Sequence, residues 1–379
     1  MKRLLSFSFS LLLLFIACSS TDQFDARIKE IVNTINEQYA PDSRIAVFDI
    51  NWKWENRIPV LTGEIDNPDA KEALFSALRE SDIPDPVDSI TVLPHKDLGD
   101  YRYALINVTV GNMRSTHRHT SELVTQVLMG TPVKVLKRHR GWYYIQSPDS
   151  YLGWINSGAL HLLTKDDIRS WEDAERVIVT DYHAIVHESP NADTKPVSNV
   201  VAGSRLKQTG SSGAWYQVAL PDGRAGYIER RYVRDYTAWR ETRELTGENI
   251  ERTALRFIGI PYLWGGTSVK GMDCSGFTKT VFWLNGKDLS RDASQQVLMG
   301  REVDAGENFN NLQTGDLLFF GREATDDSPE RIVHVGIYLR DGEFIHSSEY
   351  VRINSFFSDA PNFDEFERNR FVRAKRLIH

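Results

Sequence analysis

Two stretches of this chain align without a gap when one is shifted by 73 residues. The first, GTPVKVLKRHRGWYYIQSPDSYLGWINSGAL, begins at Gly130, and the second, GSRLKQTGSSGAWYQVALPDGRAGYIERRYV, begins at Gly203. Trp142 is matched by Trp215 in this alignment. Such a repeat predicts two structural units of the same fold. Because short β-forming runs alternate with Pro-Asp turns, each unit is expected to be a small β-barrel.

The repeated pattern, with the segment NVTVGNMRS that leads into it, resembles bacterial SH3-like domains. On that resemblance the first copy is placed at 106–165 and the second at 172–238. A chain of 379 residues is too long for one hydrophobic core, so further domains are expected on both sides of the repeat.

Helical and strand patterns alternate between residues 22 and 105. Apolar residues recur at helical spacing over 24–39, and strands are predicted at 44–50 and 57–65. A second helix has Asn67 as its cap and Pro68 in its first turn, and another strand follows it. This αββαβ order predicts a small α+β domain. We find no catalytic pattern in it and expect a spacer or scaffold.

The amino terminus has the composition of an export signal. Lys2 and Arg3 precede an apolar run that ends at Ala17, which predicts a signal peptide over 1–17. The ending FIAC resembles the bacterial lipoprotein box, which implies lipidation of Cys18 and a membrane-anchored protein on the periplasmic or cell-surface side. An ordinary signal peptide with a chance cysteine is the alternative.

The composition excludes some partners and leaves one cysteine unexplained. A net charge of −7 gives no reason to expect nucleic acid binding. With Cys18 assigned to the anchor, Cys274 is the only other cysteine, so an intramolecular disulfide is impossible. A lone cysteine is either a small buried hydrophobe or a reactive group. The count alone leaves both interpretations open.

The neighbours of Cys274 favour a nucleophile. In YLWGGTSVKGMDCSGF, a glycine-rich approach leads to a predicted helix that begins at Cys274. Unpaired N–H groups and the helix dipole at that position are expected to lower the pKa of the thiol. Upstream, WRETRELTGENIERTALRFIGI is predicted as one helix whose buried side carries five apolar residues: Leu245, Ile250, Ala254, Leu255 and Ile258.

Two histidines are placed to serve such a thiol. His334 lies in the strand pattern RIVHVGIYL, and His346 lies in EFIHSS. The turn residues 340–343 between them predict an antiparallel hairpin that brings the two rings together. One ring would be the base, and the other would orient it.

Metal binding competes with this interpretation. His183 and His187 have i, i+4 spacing but lie in a predicted β module without the glutamate of a metalloprotease helix. His117 and His119 lie in a loop pattern, and the sequence has no CxxC. We therefore expect neither a metal nor another cofactor.

Four ordered blocks carry a resemblance to a known family. YLWGGTSVKGMDCSGF, QTGDLLFFG, VHVGIYL and EFIHSS together resemble the NlpC family of papain-like cysteine peptidases, over roughly 240–379. With the upstream modules, the chain resembles three-part γ-D-glutamyl-L-diamino acid endopeptidases. The expected fold is multidomain: a small α+β domain, two SH3-like barrels and a papain-like α+β catalytic domain.

The resemblance implies roles for individual residues. Cys274 matches the nucleophile, His334 the base and His346 the residue that orients it. It also implies an oxyanion-site tyrosine at Tyr262, substrate contacts at Asp273 and Ser275, and closure of the amino-terminal end of the cleft by Glu122 and Tyr151. Ser150 departs from the family pattern, which usually has glycine there.

The implied reaction cleaves the γ-D-glutamyl–diamino acid bond of short murein peptides with a free amino-terminal L-alanine. Such an enzyme trims tripeptides or tetrapeptides, and we expect it to act as a monomer. Two alternatives remain: a papain-like amidase or acyltransferase with another substrate, and an inactive wall-binding lipoprotein.

Overall fold

The computed structural model describes residues 6–378, with side chains described from residue 22 onward. The predicted signal peptide (1–17) and Cys18 lie outside the residues whose side chains are described. In the described part of the chain, every helix lacks either the length or the hydropathy that a bilayer crossing requires. The chain divides into two compact units, one reaching Gly99 and including Ser150–Leu152, the other containing Asp100–Asp149 and the residues from Gly153 onward.

The first unit is a three-stranded sheet packed against two helices. Its elements are α1 (Ser6–Tyr39), β1 (Phe48–Glu55), β2 (Ile58–Ile65), α2 (Pro68–Arg79) and β3 (Val87–Val92). β1 and β2 are antiparallel, whereas β3 runs parallel to β2 after the crossover through α2. The Asp69 N–H donates to the Asn67 side chain at 2.9 Å, so α2 begins at the predicted cap. The αββαβ prediction is confirmed.

The second unit contains two barrels of seven strands each. The first consists of β4 (Tyr103–Ile106), β5 (Val110–Arg114), β6 (Leu123–Leu128), β7 (Pro132–His139), β8 (Trp142–Gln146), β9 (Leu152–Asn156) and β10 (Leu160–Leu163). After α3 (Lys165–Asp173), the second consists of β11 (Arg176–Val179), β12 (His183–His187), β13 (Pro196–Val201), β14 (Arg205–Ser212), β15 (Trp215–Ala219), β16 (Ala225–Glu229) and β17 (Val233–Asp235).

The repeat extends further in structure than in sequence. Each strand of the first barrel has a counterpart in the second that begins 73 residues later, so β4 corresponds to β11 and β10 to β17. The corresponding strands are also in the same order in the two sheets. Gly130 and Gly203 both adopt positive φ, +77° and +93°, in the turn before the central strands. The amino-terminal strands lack a matching sequence because a strand requires little more than alternating burial.

The rest of the second unit is a helical segment followed by a six-stranded antiparallel sheet. The helices are α4 (Tyr236–Glu241), α5 (Gly247–Leu255), α6 (Cys274–Leu284), α7 (Ala293–Gln296) and α8 (Glu365–Asn369). The strands are β18 (Thr267–Ser268), β19 (Gly271–Met272), β20 (Arg301–Val303), β21 (Leu317–Arg322), β22 (Arg331–Tyr338), β23 (Glu343–Ser348), β24 (Tyr350–Ser355) and β25 (Phe371–Arg376). The sheet order is β20-β25-β21-β22-β23-β24, and α6 packs against β22 and β23.

One helix prediction is wrong in part. The segment predicted as a single helix from residue 239 is split into α4 and α5, because Thr246 caps a new helix by accepting from the Asn249 N–H. Ile250 and Ala254 are fully buried as predicted, but Leu255 and Ile258 are exposed. α5 ends at Leu255, so Ile258 lies beyond the helix and the predicted buried stripe stops at Ala254.

Candidate active site

Cys274 is the first residue of α6 and lies in the core beneath the sheet. It is 8% exposed and belongs to the cluster that includes Phe277 and Val281. Asp273 caps the helix by accepting from the Gly276 N–H at 2.7 Å. A Cβ on Gly276 would lie 2.0 Å from the Gly266 carbonyl oxygen, so only glycine permits this approach of loop to helix. The thiol is therefore both buried and positioned at a helix start.

The surroundings of the thiol oppose its ionisation. Backbone N–H groups of Val335 and Ser275 donate to the sulfur and lower its pKa, as expected for a helix start. Burial and, after it, the Asp273 carboxylate have the larger effect and raise the pKa of Cys274 to about 12. The prediction of a lowered pKa is thus wrong, because α6 begins inside the core rather than at its surface.

The two histidines form a hydrogen-bonded chain. His334 Nε2 lies 2.8 Å from His346 Nδ1, and His346 Nε2 lies 2.9 Å from Asn354 Oδ1. The Asn354 amide nitrogen donates to the Asn362 carbonyl oxygen, so Oδ1 is the atom that faces His346. Burial lowers the pKa of His346 to about 4, which keeps the ring neutral at physiological pH.

These partners determine the tautomers. Since Asn354 Oδ1 only accepts, His346 carries its proton on Nε2 and accepts at Nδ1. His334 must then donate from Nε2, which leaves its Nδ1 unprotonated. Burial holds the pKa of His334 well below its usual value. His334 precedes Val335, whose N–H contacts the Cys274 sulfur, and its ring therefore offers a neutral basic nitrogen.

The predicted hairpin positions these rings. β22 and β23 are antiparallel, and the turn between them has Asp341 and Gly342 at positive φ, +50° and +78°. A Cβ on Gly336 would lie 3.2 Å from the His346 Cβ, so glycine at this position leaves room for the His346 ring against the neighbouring strand. The predicted proximity of His334 and His346 is confirmed.

A buried glutamate completes this cluster. Glu367 Oε1, on α8, lies 3.8 Å from His334 Nε2 and accepts from Arg370 NH2 at 2.7 Å. Among the described residues, His334, His346 and Glu367 are the group whose ligand atoms lie close enough together for one metal ion. The two ring nitrogens are already hydrogen-bonded to each other, and Arg370 neutralises the carboxylate. The earlier candidates His183 and His187 are at opposite ends of β12.

Tyr262 lies close to the thiol. Its N–H donates to the Glu349 carbonyl oxygen at 2.8 Å, and it bridges to Met272 beside the start of α6. Burial, and after it the charge of Cys274, raises the pKa of the Tyr262 hydroxyl, which therefore remains a donor. Within the described residues, the backbone N–H of Cys274 has no hydrogen-bond acceptor. The oxyanion role of Tyr262 stays a prediction.

Asp273 and Ser275 are buried and tied to an arginine that sequence reasoning missed. Arg291 is 1% exposed, and its NH2 and NH1 lie 2.5 and 3.1 Å from the two carboxylate oxygens of Asp273. It also donates to Ser275 Oγ at 3.0 Å and, across to the first barrel, to Thr125 Oγ1 at 2.9 Å. The predicted substrate contacts of Asp273 and Ser275 stay predictions. Nothing in the short motif LSRDASQQ marked Arg291 as buried.

Glu122 of the first barrel meets the peptidase segment that carries Tyr262. It is exposed, and its Oε1 accepts from Trp264 Nε1 at 2.8 Å. A Cβ on Gly265 would lie 2.2 Å from the Leu123 carbonyl oxygen, so the loop passes directly over β6. Glu122 thus lies against the glycine-rich segment that precedes Cys274.

Tyr151 is buried and belongs to the first unit, whereas the other predicted site residues belong to the second. Ser150, which precedes it, has φ +66°. This is the left-handed region that favours glycine. Ser150 therefore holds a conformation that costs backbone strain in a residue with a side chain.

Comparisons with known proteins agree with this geometry. The model of the NlpC/P60 family matches residues 259–366, and that of the bacterial SH3 domain matches 109–161 and 183–234. A γ-D-glutamyl-L-lysine dipeptidyl-peptidase of Bacillus subtilis is 31% identical, over 59% of this chain and 71% of that protein. Dipeptidyl-peptidase 6 of Lysinibacillus sphaericus is 28% identical, over 68% of this chain and 93% of that protein.

Solved structures show the same fold. The crystal structure of an NlpC/P60 family protein from Bacillus cereus superposes with a TM-score of 0.62 at 24% identity. The match covers 73% of this chain and all of that one. The predicted combination of SH3-like barrels with a papain-like catalytic domain is confirmed.

Proposed function

The chain belongs to the NlpC/P60 family, and from that membership we propose that it hydrolyses the γ-D-glutamyl–diamino acid bond of short murein peptides with a free amino-terminal L-alanine. The observation that carries the proposal is the tautomer chain from Asn354 through His346 to His334. It leaves His334 Nδ1 as a basic nitrogen, which we assign to the proton of the Cys274 thiol because the sulfur contacts the N–H of the next residue, Val335. An arrangement in which both hydrogen bonds are compatible with one set of tautomers supports an active peptidase over an inactive wall-binding protein.

The proposed reaction is acyl transfer through a thioester. As the Cys274 sulfur attacks the γ-carbonyl carbon of D-glutamate, its proton moves to His334 Nδ1. The oxyanion accepts hydrogen bonds from the Tyr262 hydroxyl and the Cys274 N–H. His334 then gives the proton to the departing amine of the diamino acid. Water, deprotonated by His334, attacks the thioester and restores the thiol.

A high thiol pKa suits this sequence of events. The resting pair is neutral, with S–H and unprotonated imidazole, so no buried charges are separated before a substrate arrives. Charge develops only when the oxyanion donors are occupied. The stabilising interactions are therefore made in the transition state and not in the resting enzyme.

Glu122 would restrict the substrate. Its exposed carboxylate can pair with the α-amine of L-alanine, while the Trp264 N–H holds it in place. A peptide whose amine is blocked, as in intact glycan-linked wall, leaves that carboxylate without its partner and clashes with the barrel. The proposed substrates are therefore released tripeptides and tetrapeptides.

A peptide assay tests the proposal. The full chain is incubated with L-Ala-γ-D-Glu-L-Lys and with its N-acetylated form, and lysine release is measured. Release from the free peptide and not from the acetylated one is expected, with no release by Cys274→Ala. Cleavage of neither peptide contradicts the proposal, and equal cleavage of both favours an amidase of broader specificity.

We further propose that the protein is a monomeric lipoprotein anchored through Cys18. Support comes from Lys2, Arg3, the apolar run and the FIAC ending. Mass spectrometry of the mature amino-terminal peptide, after expression in a bacterium, should detect acyl chains on Cys18. A mature terminus at another residue would contradict the anchor, and light scattering of the purified chain tests the monomer.

A further inference from the structure

A second cavity lies behind the catalytic helix. Its volume is about 450 Å³, and its walls come from β6, the turn before β14, α4 and the carboxyl-terminal half of α6. Lys279, Thr280 and Trp283 supply the part of the wall that belongs to α6. Cys274 and the two site histidines do not line it. The cavity is therefore separate from the catalytic cleft, although it shares a helix with it.

Three arginines in this wall have no carboxylate partner among the described residues: Arg205, Arg240 and Arg243. Arg205 NH2 donates to Thr131 Oγ1 at 2.8 Å, and Arg243 NH1 donates to the Trp283 carbonyl oxygen at 2.6 Å. The Nε atoms of Arg205 and Arg243 are buried and make no hydrogen bond within the described chain. The two hydrogen bonds hold both guanidinium groups in the cavity wall.

The wall of the cavity carries more positive than negative side chains. Lys279 and Asp149 form an ion pair at 3.1 Å and neutralise each other. Asp288 is then the carboxylate left in the wall against the three arginines. Burial lowers the pKa of Arg205 and of Arg243, whereas the Tyr236 hydroxyl and the Asp288 carboxylate act in the opposite direction. Holding these cations together is unfavourable unless an anion lies between them.

The remaining wall is aromatic and aliphatic. The Tyr236 ring lies 5.6 Å from the Arg205 guanidinium and 5.7 Å from that of Arg240, and Arg243 stacks at 4.0 Å on Trp239 beside the cavity. Val127 and Leu128 contribute apolar surface. A bare inorganic ion would satisfy the guanidinium groups but leave this apolar wall in contact with water. The volume is within the range of pockets for small organic ligands.

We propose that this cavity binds a small organic anion with two carboxylates, held by Arg205, Arg240 and Arg243 and packed on Trp283. Planar guanidinium groups match carboxylates in a two-pronged geometry, and the carbon skeleton covers the aromatic wall. The site is independent of the peptidase reaction, since no residue of the cavity takes part in it.

Calorimetric titration of the full chain with glutarate, and separately with inorganic phosphate, tests the site. Glutarate is expected to bind one per chain and at least about tenfold more tightly than phosphate, because phosphate lacks the apolar contact. Arg243→Gln should weaken glutarate binding at least about tenfold, and the more exposed Arg240→Gln should weaken it by a smaller factor. Arg231→Gln, which removes a surface arginine paired with Glu229, is the matched control and should leave binding unchanged.

Three results would overturn the proposal: no heat with glutarate, equal affinity for phosphate, or equal loss in the Arg231→Gln control. The thermal unfolding midpoint of each variant is measured beside the titration. If the unfolding midpoint of Arg243→Gln is lowered, the affinity of Arg240→Gln for glutarate is the deciding measurement. Arg240 is exposed, so its replacement removes no buried contact.

Discussion

At the scale of residues, the site depends on hydrogen bonds that assign one proton to each ring. Asn354 is the end of that chain, and it lies eight residues beyond His346 on the neighbouring strand. Because its oxygen can only accept, it determines where His346 holds its proton. The basicity of His334 thus depends on a residue that contacts neither the thiol nor the predicted position of substrate.

Replacing Asn354 should therefore affect catalysis more than folding. Asn354→Leu removes the acceptor, lets His346 adopt either tautomer and should lower kcat about tenfold, the value of one oriented hydrogen bond. Asn354→Asp keeps an acceptor and should retain most of the activity. Its carboxylate raises the pKa of His346, so the acid limb of its pH–rate profile should move to higher pH. Equal losses in both variants would indicate a merely structural role.

The protonation state of Cys274 can be measured by alkylation. With a pKa raised to about 12 by burial, the thiolate fraction should increase continuously across ordinary pH. The rate of iodoacetamide labelling at Cys274, followed by peptide mass spectrometry, should rise about tenfold per pH unit between pH 6 and 9. Glutathione, whose rate levels off above its own pKa, is the reference. A plateau from pH 6 upward would mean a resting thiolate–imidazolium pair instead.

At the scale of elements, glycine determines which segments can approach each other. Gly276 lets α6 begin against the Gly266 carbonyl, and Gly336 admits His346 beside β22. Arg291 then links the start of α6 to β6 of the first barrel through Asp273 and Thr125. The catalytic helix is consequently positioned by contacts from both the peptidase sheet and a barrel.

Gly130 makes the corresponding contact between the barrels. Its φ is +77°, and a Cβ would lie 2.0 Å from the Arg205 carbonyl oxygen of the second barrel. Gly130→Ala should therefore destabilise the chain by about 2–5 kcal/mol, combining backbone strain with a forced displacement. Gly213→Ala, at φ +55° with open space around it, should cost only about 1–2 kcal/mol. The urea concentration at the unfolding midpoint is measured for both variants by tryptophan fluorescence. Equal shifts of the two midpoints would show that the contact between the barrels is not rigid.

At the scale of the whole molecule, the first barrel contributes to the predicted cleft as well as to the domain architecture. Glu122 comes from the first barrel, and its partner Trp264 comes from the peptidase segment. The carboxylate lies on an element that the peptidase domain alone would lack. Substrate length is therefore expected to be a property of the assembled unit.

Glu122→Gln separates recognition of the amine from catalysis. The amide oxygen can still accept from Trp264 Nε1, but it carries no charge for the substrate amine. We expect kcat/KM for L-Ala-γ-D-Glu-L-Lys to fall roughly 10- to 100-fold, mostly through KM, the value of a charged hydrogen bond. A loss of kcat alone would place Glu122 in the chemistry rather than in recognition.

The sequence alone determined the elements and the chemical groups. The repeat offset predicted both barrels, and the spacing of His334 and His346 predicted their hairpin, because strand alternation and turn residues are local properties. Cys274 could be identified from its glycine-rich approach. Roles for Glu122 and Tyr262 came only from resemblance to the family, since each lies far along the chain from the thiol.

Only the tertiary structure decided the electrostatics and the distant partners. The thiol pKa is raised rather than lowered because α6 begins in the core, and burial is a property of the whole packing. Asn354, Glu367 and Arg291 reach the site from separate elements without any local pattern to mark them. Local sequence specifies which groups a segment offers, whereas desolvation and hydrogen-bond partners depend on segments brought together by folding.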